Sequence, residues 1–140
     1  MHLDTELVLK KIEEYRHERT CSQAVLRSFC EVAGLPTENV DKVAVGFTGG
    51  IGGTFDEGSC GALTGAVLAL GYLSEDESQA LMASQRLFNE FKKQYGSVTC
   101  GKISNNGDNK LHCIDVCLFS GAKVCEYLND EKIDKKIMFR

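Results

Sequence analysis

What this chain lacks narrows its function first. It contains no uninterrupted apolar run of the ~18 residues that a membrane-spanning helix requires. Its opening MHLDTELVLKKIEEYRHER carries no apolar stretch followed by a small-residue cleavage site. The expectation is a cytoplasmic protein that is not membrane-embedded. Positive charge is not in excess either: 16 Lys and Arg stand against 20 Asp and Glu, a net charge of −4. The basic cluster Lys132, Lys135, Lys136 and Arg140 is interleaved with acids, so no nucleic-acid partner is expected. There is no CxxC pair, which removes local zinc-ribbon and thioredoxin-type sites. Apolar and polar residues nowhere alternate for more than a few positions, which leaves strands without a signal.

What remains is helical periodicity. The 140 residues suit one domain with a single core. Residues 1–19 read as an amphipathic helix with Val8, Ile12 and Tyr15 on one stripe. Thr20 and Gln23 stand at capping-box spacing before a second helix through Val25, Leu26, Phe29 and Val32, ended by Gly34 and Pro36. A short third helix fits Val40, Val43, Ala44 and Phe47. Ser59 can cap a fourth helix that starts at Cys60 and stops at Gly71 in the left-handed position. Ser74 and Glu77 form a second capping box, ahead of a long helix striped by Leu81, Ser84, Phe88, Phe91 and Tyr95 and closed by Gly96. Residues 105 to 108 read as a turn, 112 to 128 as a last helix, and 129–140 as a charged tail. The fold class expected is all-α, a compact bundle of about six helices with a Gly-rich loop.

That loop, GGIGG at 49 to 53, is not a nucleotide site by its residues. No Gly-Lys-Ser/Thr follows it, Phe55 stands where a dinucleotide fingerprint needs its third glycine, and no strand precedes it. Glycine supplies positive φ and bare N–H groups that can approach sulfur closely. Gly61 and Gly65, with Ala62, Ala66 and Ala69, make a small-residue face on the following helix, suited to close helix packing and a candidate surface for a homodimer.

Seven cysteines are several times the usual number, and an odd count in a reducing compartment argues for metal binding or thiol redox chemistry over a disulfide framework. Cys21 and Cys60 each fall at a helix start, where the helix dipole favours a thiolate. Cys100 lies just past the long helix and before a loop, and Cys113 opens the last helix with Cys117 one turn on. Cys30 and Cys125 sit at core spacing and read as structural.

The arrangement of Cys21, the glycine-rich segment, Cys60-Gly61-Ala62-Leu63-Thr64-Gly65, Cys100 within the stretch from Phe91 to Cys100, and a late cysteine resembles the C_GCAxxG_C_C family of redox-active proteins over roughly residues 20–128. The resemblance implies a small α-helical protein with four functional cysteines, often encoded beside transporters, so that association with a transporter and an unidentified redox partner are implied too. A related cytochrome branch carries haem, but this chain has no CxxCH and covalent haem is not carried over. The four cysteines map to Cys21, Cys60, Cys100 and Cys113, with Cys117 the alternative for the last.

Three functions are expected of such a set. The first is a [2Fe–2S] cluster held by the four thiolates for electron transfer, its sulfurs hydrogen-bonded by Gly49, Gly50, Gly52, Gly53 and Gly61. The second is a thiol/disulfide oxidoreductase with Cys60 as nucleophile, its thiol acidified by the helix N-terminus. The third is a structural four-cysteine zinc site.

Overall fold

The computed structural model describes residues 2–104 and 110–130. The first helix, α1 (Thr5–Arg16), is capped by Asp4, whose carboxylate accepts from the Leu7 N–H at 3.1 Å. It lays Val8, Leu9 and Ile12 into the core. Helix α2 (Cys21–Ala33) opens on the expected capping box, with the Thr20 N–H donating to Gln23 Oε1 at 3.2 Å, and closes at Gly34 with φ +74°. Short α3 (Val40–Ala44) tightens into a 3-10 turn over Val45–Phe47 that leads into the glycine-rich loop. Then come α4 (Gly61–Leu73), α5 (Glu77–Tyr95), the single-turn α6 (Cys100–Ser104) and α7 (Lys110–Asn129). The architecture is all-α, and no strand occurs among the described residues beyond one isolated bridge between Ser59 and Thr99.

Helix α4 is apolar on nearly every side, as a helix must be when neighbours surround it. It packs most extensively on α2 and also meets α5 and α7, while α1 lies across α2 and α7. Burial of Leu63 and Leu70 contributes about 1.5–3 kcal/mol each. The glycines of α4 make its approach to α2 close. A Cβ at Gly65 would stand 2.8 Å from the Ser22 carbonyl oxygen, and one at Gly61 would stand 3.1 Å from the Ser22 nitrogen and 3.3 Å from Cys21 Cβ. The small-residue face read as a candidate dimer surface is therefore occupied by α2 of the same chain. The two ends of the helical array are joined as well, because the Leu3 N–H donates to Asn129 Oδ1 at 2.8 Å and Asn129 Nδ2 donates to the Leu3 carbonyl at 2.9 Å.

Several elements differ from the sequence-based expectation. Helix α4 runs past Gly71 to Leu73, whose side chain is buried, and Gly71 holds no positive φ. Ser74 consequently ends α4, and α5 is capped by Asp76, which accepts from the Gln79 N–H at 2.8 Å. The buried residues of α5 are Leu87 and Phe91, while Leu81 is 74% exposed and Phe88 40% exposed. Phe91 faces the core as expected, but Leu81 and Phe88 are apolar without being covered, and Leu87 takes the second buried position. In α3, Val40 and Ala44 are buried but Val43 faces out at 56%. Helix α6 had no periodic signal at all. The expected turn at 105 to 108 and the tail beyond residue 130 lie outside the described residues. No helix among the described residues is long and apolar enough to cross a membrane.

Candidate functional site

One end of the bundle holds a cleft of about 420 Å³, and Cys21, Cys60, Cys100 and Cys113 all line it. Each arrives on a different element. Cys21 is the first residue of α2 and the least buried of the seven cysteines, every one of which is an unbridged thiol. Cys60 is itself the N-cap of α4, which starts at Gly61, one residue later than expected, and Ser59 acts in the bridge to Thr99 instead of as a cap. That bridge is the device that gathers Cys60 and Cys100. The Cys60 N–H donates to the Val98 carbonyl at 2.7 Å and the Cys100 N–H to the Gly58 carbonyl at 2.8 Å, so two segments forty positions apart run antiparallel with a cysteine at one end of each. Cys113 comes from α7, with Cys117 one turn further in and fully buried.

The glycine-rich loop lies over this bridge. Gly49, Gly50, Gly52 and Gly53 all have positive φ. At Gly50, φ +85°, a Cβ would also stand 3.0 Å from Gly58 Cα, so neither the backbone conformation nor the space admits another residue without strain. The reward of that tightness is the Gly50 N–H, which is directed at the Cys100 sulfur. The other loop glycines do not serve the sulfurs: Gly52 donates to the Gly46 carbonyl at 2.8 Å and Gly53 to the Thr48 carbonyl at 2.9 Å. Gly49 lines the cleft, and Gly61 acts by bareness, letting Cys21 and Cys60 approach. At the start of α4 it is the Ala62 N–H that reaches the Cys60 sulfur.

The sulfurs form a coupled group. The neighbouring Cys113 thiol favours the Cys21 thiolate. The Cys117 sulfur and burial outweigh this and push Cys21 up to about 12, against the pull of Arg16. Cys113 is raised further, first by the neighbouring Cys21 sulfur and then by burial. Burial also raises Cys100, opposed by Ser104, Gly50 and Arg16. Cys60 corrects the expectation of an acidified nucleophile. Burial lifts its thiol far above the ordinary value, the neighbouring sulfurs of Cys21, Cys100 and Cys113 add to the rise, and the Ala62 N–H recovers only part of it.

Sequence reasoning passed over Arg16, which looked like one more charge on a solvated helix face. Its Nε donates to Cys21 Sγ at 3.0 Å and its Nη1 to the Arg19 carbonyl at 3.1 Å. Only the fold, which doubles α1 back against α2, reveals the contact. Cys117 also differs from a filler residue, since it adjoins Cys21. Cys30 and Cys125 are buried away from the cleft, in the core.

Four soft thiol donors are the chemistry that zinc or an iron–sulfur cluster takes. As the side chains stand, however, no group of three or more His, Cys, Asp or Glu among the described residues is arranged to hold a metal ion. The sulfurs do not fit a four-thiolate metal centre without drawing together.

In comparison with known proteins, the family model described as "Putative redox-active protein (C_GCAxxG_C_C)" matches residues 19–128. No curated protein and no solved structure matches the chain.

Proposed function

The chain belongs to the C_GCAxxG_C_C family, and on that footing we propose that it is redox-active and that its working centre is the cleft thiol group, with Cys21 and Cys113 cycling between dithiol and disulfide. The observation that carries this reading is that Cys21 and Cys113 line the same cleft and their sulfurs are near enough to perturb each other's titration. Two sulfurs facing one cleft can be drawn together into a disulfide. Cys21 is the attacking thiol because it is the least buried of the seven, and Arg16 stands beside it to stabilise the thiolate as it forms, against the burial that raises the resting thiol. Its thiolate attacks a sulfur of a partner's disulfide and releases one partner thiolate. Cys113 then attacks Cys21 in the mixed disulfide and releases the second, so two electrons and two protons pass from the protein to the partner.

A second reading, a [2Fe–2S] cluster on Cys21, Cys60, Cys100 and Cys113, is supported by the Gly50 and Ala62 N–H groups aimed at the Cys100 and Cys60 sulfurs. Hydrogen bonds of this kind tune cluster potentials. It requires the four sulfurs to close on one point, as does the zinc reading.

Anaerobic purification with iron, acid-labile sulfide and zinc analysis, followed by mild oxidation with diamide and mapping of linked cysteines by mass spectrometry, separates them. The expected result is a Cys21–Cys113 disulfide in metal-free protein. Stoichiometric iron with sulfide, or Cys21 and Cys113 both remaining free after oxidation, would overturn the dithiol reading.

A further inference from the structure

Three arginines cluster where α1 meets α2, and their partners differ. Arg19 is held by Glu18 at 2.6 Å and Asp41 at 3.2 Å, and Arg27 by Glu31 at 3.5 Å and Asp41 at 3.6 Å. Arg16 has no carboxylate within ion-pair distance among the described residues. Its guanidinium is half-buried, lines the cleft, and makes its side-chain hydrogen bonds to the Cys21 sulfur and to a backbone carbonyl. A guanidinium taken partly out of water without an acid needs other acceptors, or the desolvation goes uncompensated. The group offered to it is sulfur.

We propose that Arg16 is the positioning residue of the thiol centre, its guanidinium donating to the Cys21 sulfur and stabilising the thiolate that forms as Cys21 reacts, so that Cys21 is the thiol at which reactants arrive and anionic reactants are preferred. This rests on Cys21 being a redox thiol, as argued above. Three features of the geometry agree. The bond to the Arg19 carbonyl fixes the guanidinium against the α1–α2 turn, so its fork is aimed before any reactant enters. The remaining charged and titratable groups facing Cys21 are sulfurs, Cys113 and Cys117 from α7 and Cys60 from α4, and none can supply positive charge. Burial opposes the charge on Arg16, yet the sulfurs of Cys21, Cys117 and Cys113 together hold it more firmly cationic than usual. His17, Glu18 and Arg19 stand at the cleft as well, with Arg19 already neutralised by its two acids. Arg16 precedes the span matched by the family model, which begins at residue 19.

The test uses the reduced full chain and reads modification of Cys21 by mass spectrometry with neutral iodoacetamide and with anionic iodoacetate. Arg16→Met is expected to slow the iodoacetamide reaction at pH 8 by about tenfold, the effect of one pKa unit on thiolate content. It should also lower the iodoacetate-to-iodoacetamide rate ratio several-fold, while Arg16→Lys restores most of both. A merely structural role would not move the ratio of two reagents of similar size. If Arg16→Met fails to fold, Arg16→Gln takes its place beside Arg16→Lys. Rates and ratio within twofold of the wild type for the uncharged variant, or Lys behaving like Met or Gln, would overturn the inference. Disulfide mapping of the wild type is independent: a missing Cys21–Cys113 bond with an Arg16-dependent Cys21 rate defeats the dithiol reading and leaves the assignment of Arg16 standing.

Discussion

At the scale of single residues, the cleft depends on atoms that are absent as much as on sulfurs that are present. Gly65 lets α2 come so near that a methyl group would press on the Ser22 backbone at 2.8 and 2.9 Å, neither of which is a flexible side-chain end. Gly65→Ala should therefore destabilise the protein by about 1–3 kcal/mol through overpacking. Because Ser22 adjoins Cys21, the same change should alter Cys21 labelling, and a thermal melt with thiol labelling checks both. Cys30 gives the opposite expectation. It is 1% exposed in the core and not part of the cleft lining, so Cys30→Ser should lower stability by about 1–3 kcal/mol by burying a hydroxyl and leave the oxidised disulfide map unchanged. Identical redox defects in the Cys30 and Cys21 variants would contradict that division. The division of labour among cysteines was readable to a degree: helix starts singled out Cys21 and Cys60, and core spacing set aside Cys30 and Cys125. Arg16 was not readable, because nothing in a run of alternating charges distinguishes the one residue that turns toward sulfur. The acidity of Cys60 was misjudged for a related reason, since a helix N-terminus is visible in sequence and the depth at which it is buried is not.

At the scale of elements, what the sequence conveyed was local. The Thr20–Gln23 box and the left-handed Gly34 and Gly96 involve residues within a turn of one another, and all three stand where expected. Boundaries decided by tertiary packing were displaced, as at Gly71, where covering Leu73 extended the helix past a residue that could have ended it. The Ser59–Thr99 bridge and α6 carried no local signature, because each exists only when the segment before α4 meets the segment after α5. The glycine-rich loop is the element most exposed to a single change. Gly50→Ala would impose a left-handed conformation on a residue with a Cβ and crowd Gly58, a strain of about 1–3 kcal/mol. The expected outcome is a modest fall in denaturation midpoint together with slower modification of Cys100, whose thiolate loses the N–H donor that favours it. An unchanged Cys100 rate would show that the loop does not govern that sulfur.

At the scale of the whole molecule, the raised thiols impose a direction on stability. A thiol becomes charged as it loses its proton, and Cys21 and Cys125 are both held up to about 12 from an ordinary value near 9.0. Between those values the unfolded chain has released its protons and the folded chain has not. Rising pH therefore favours unfolding: the contribution is fully present below about pH 9 and is lost as pH climbs toward 12, with a slope of up to about 1.4 kcal/mol per pH unit for each such thiol. Melting temperatures measured from pH 7 to pH 10.5 should fall beyond pH 9, and by less in a Cys125→Ala variant compared with its own value at pH 7. The paired rungs at Cys60 and Cys100 carry a further consequence, for the history of the chain. Contacts that join distant segments form late, after the loop between them has been closed. Until α4 and α5 have folded back and that ladder has zipped, the cleft does not exist and its thiols are as open to stray pairing as any others. A newly made chain in an oxidising moment would then be trapped with the wrong partners, so the same sulfurs that serve the finished protein set a reducing environment as the condition of its birth.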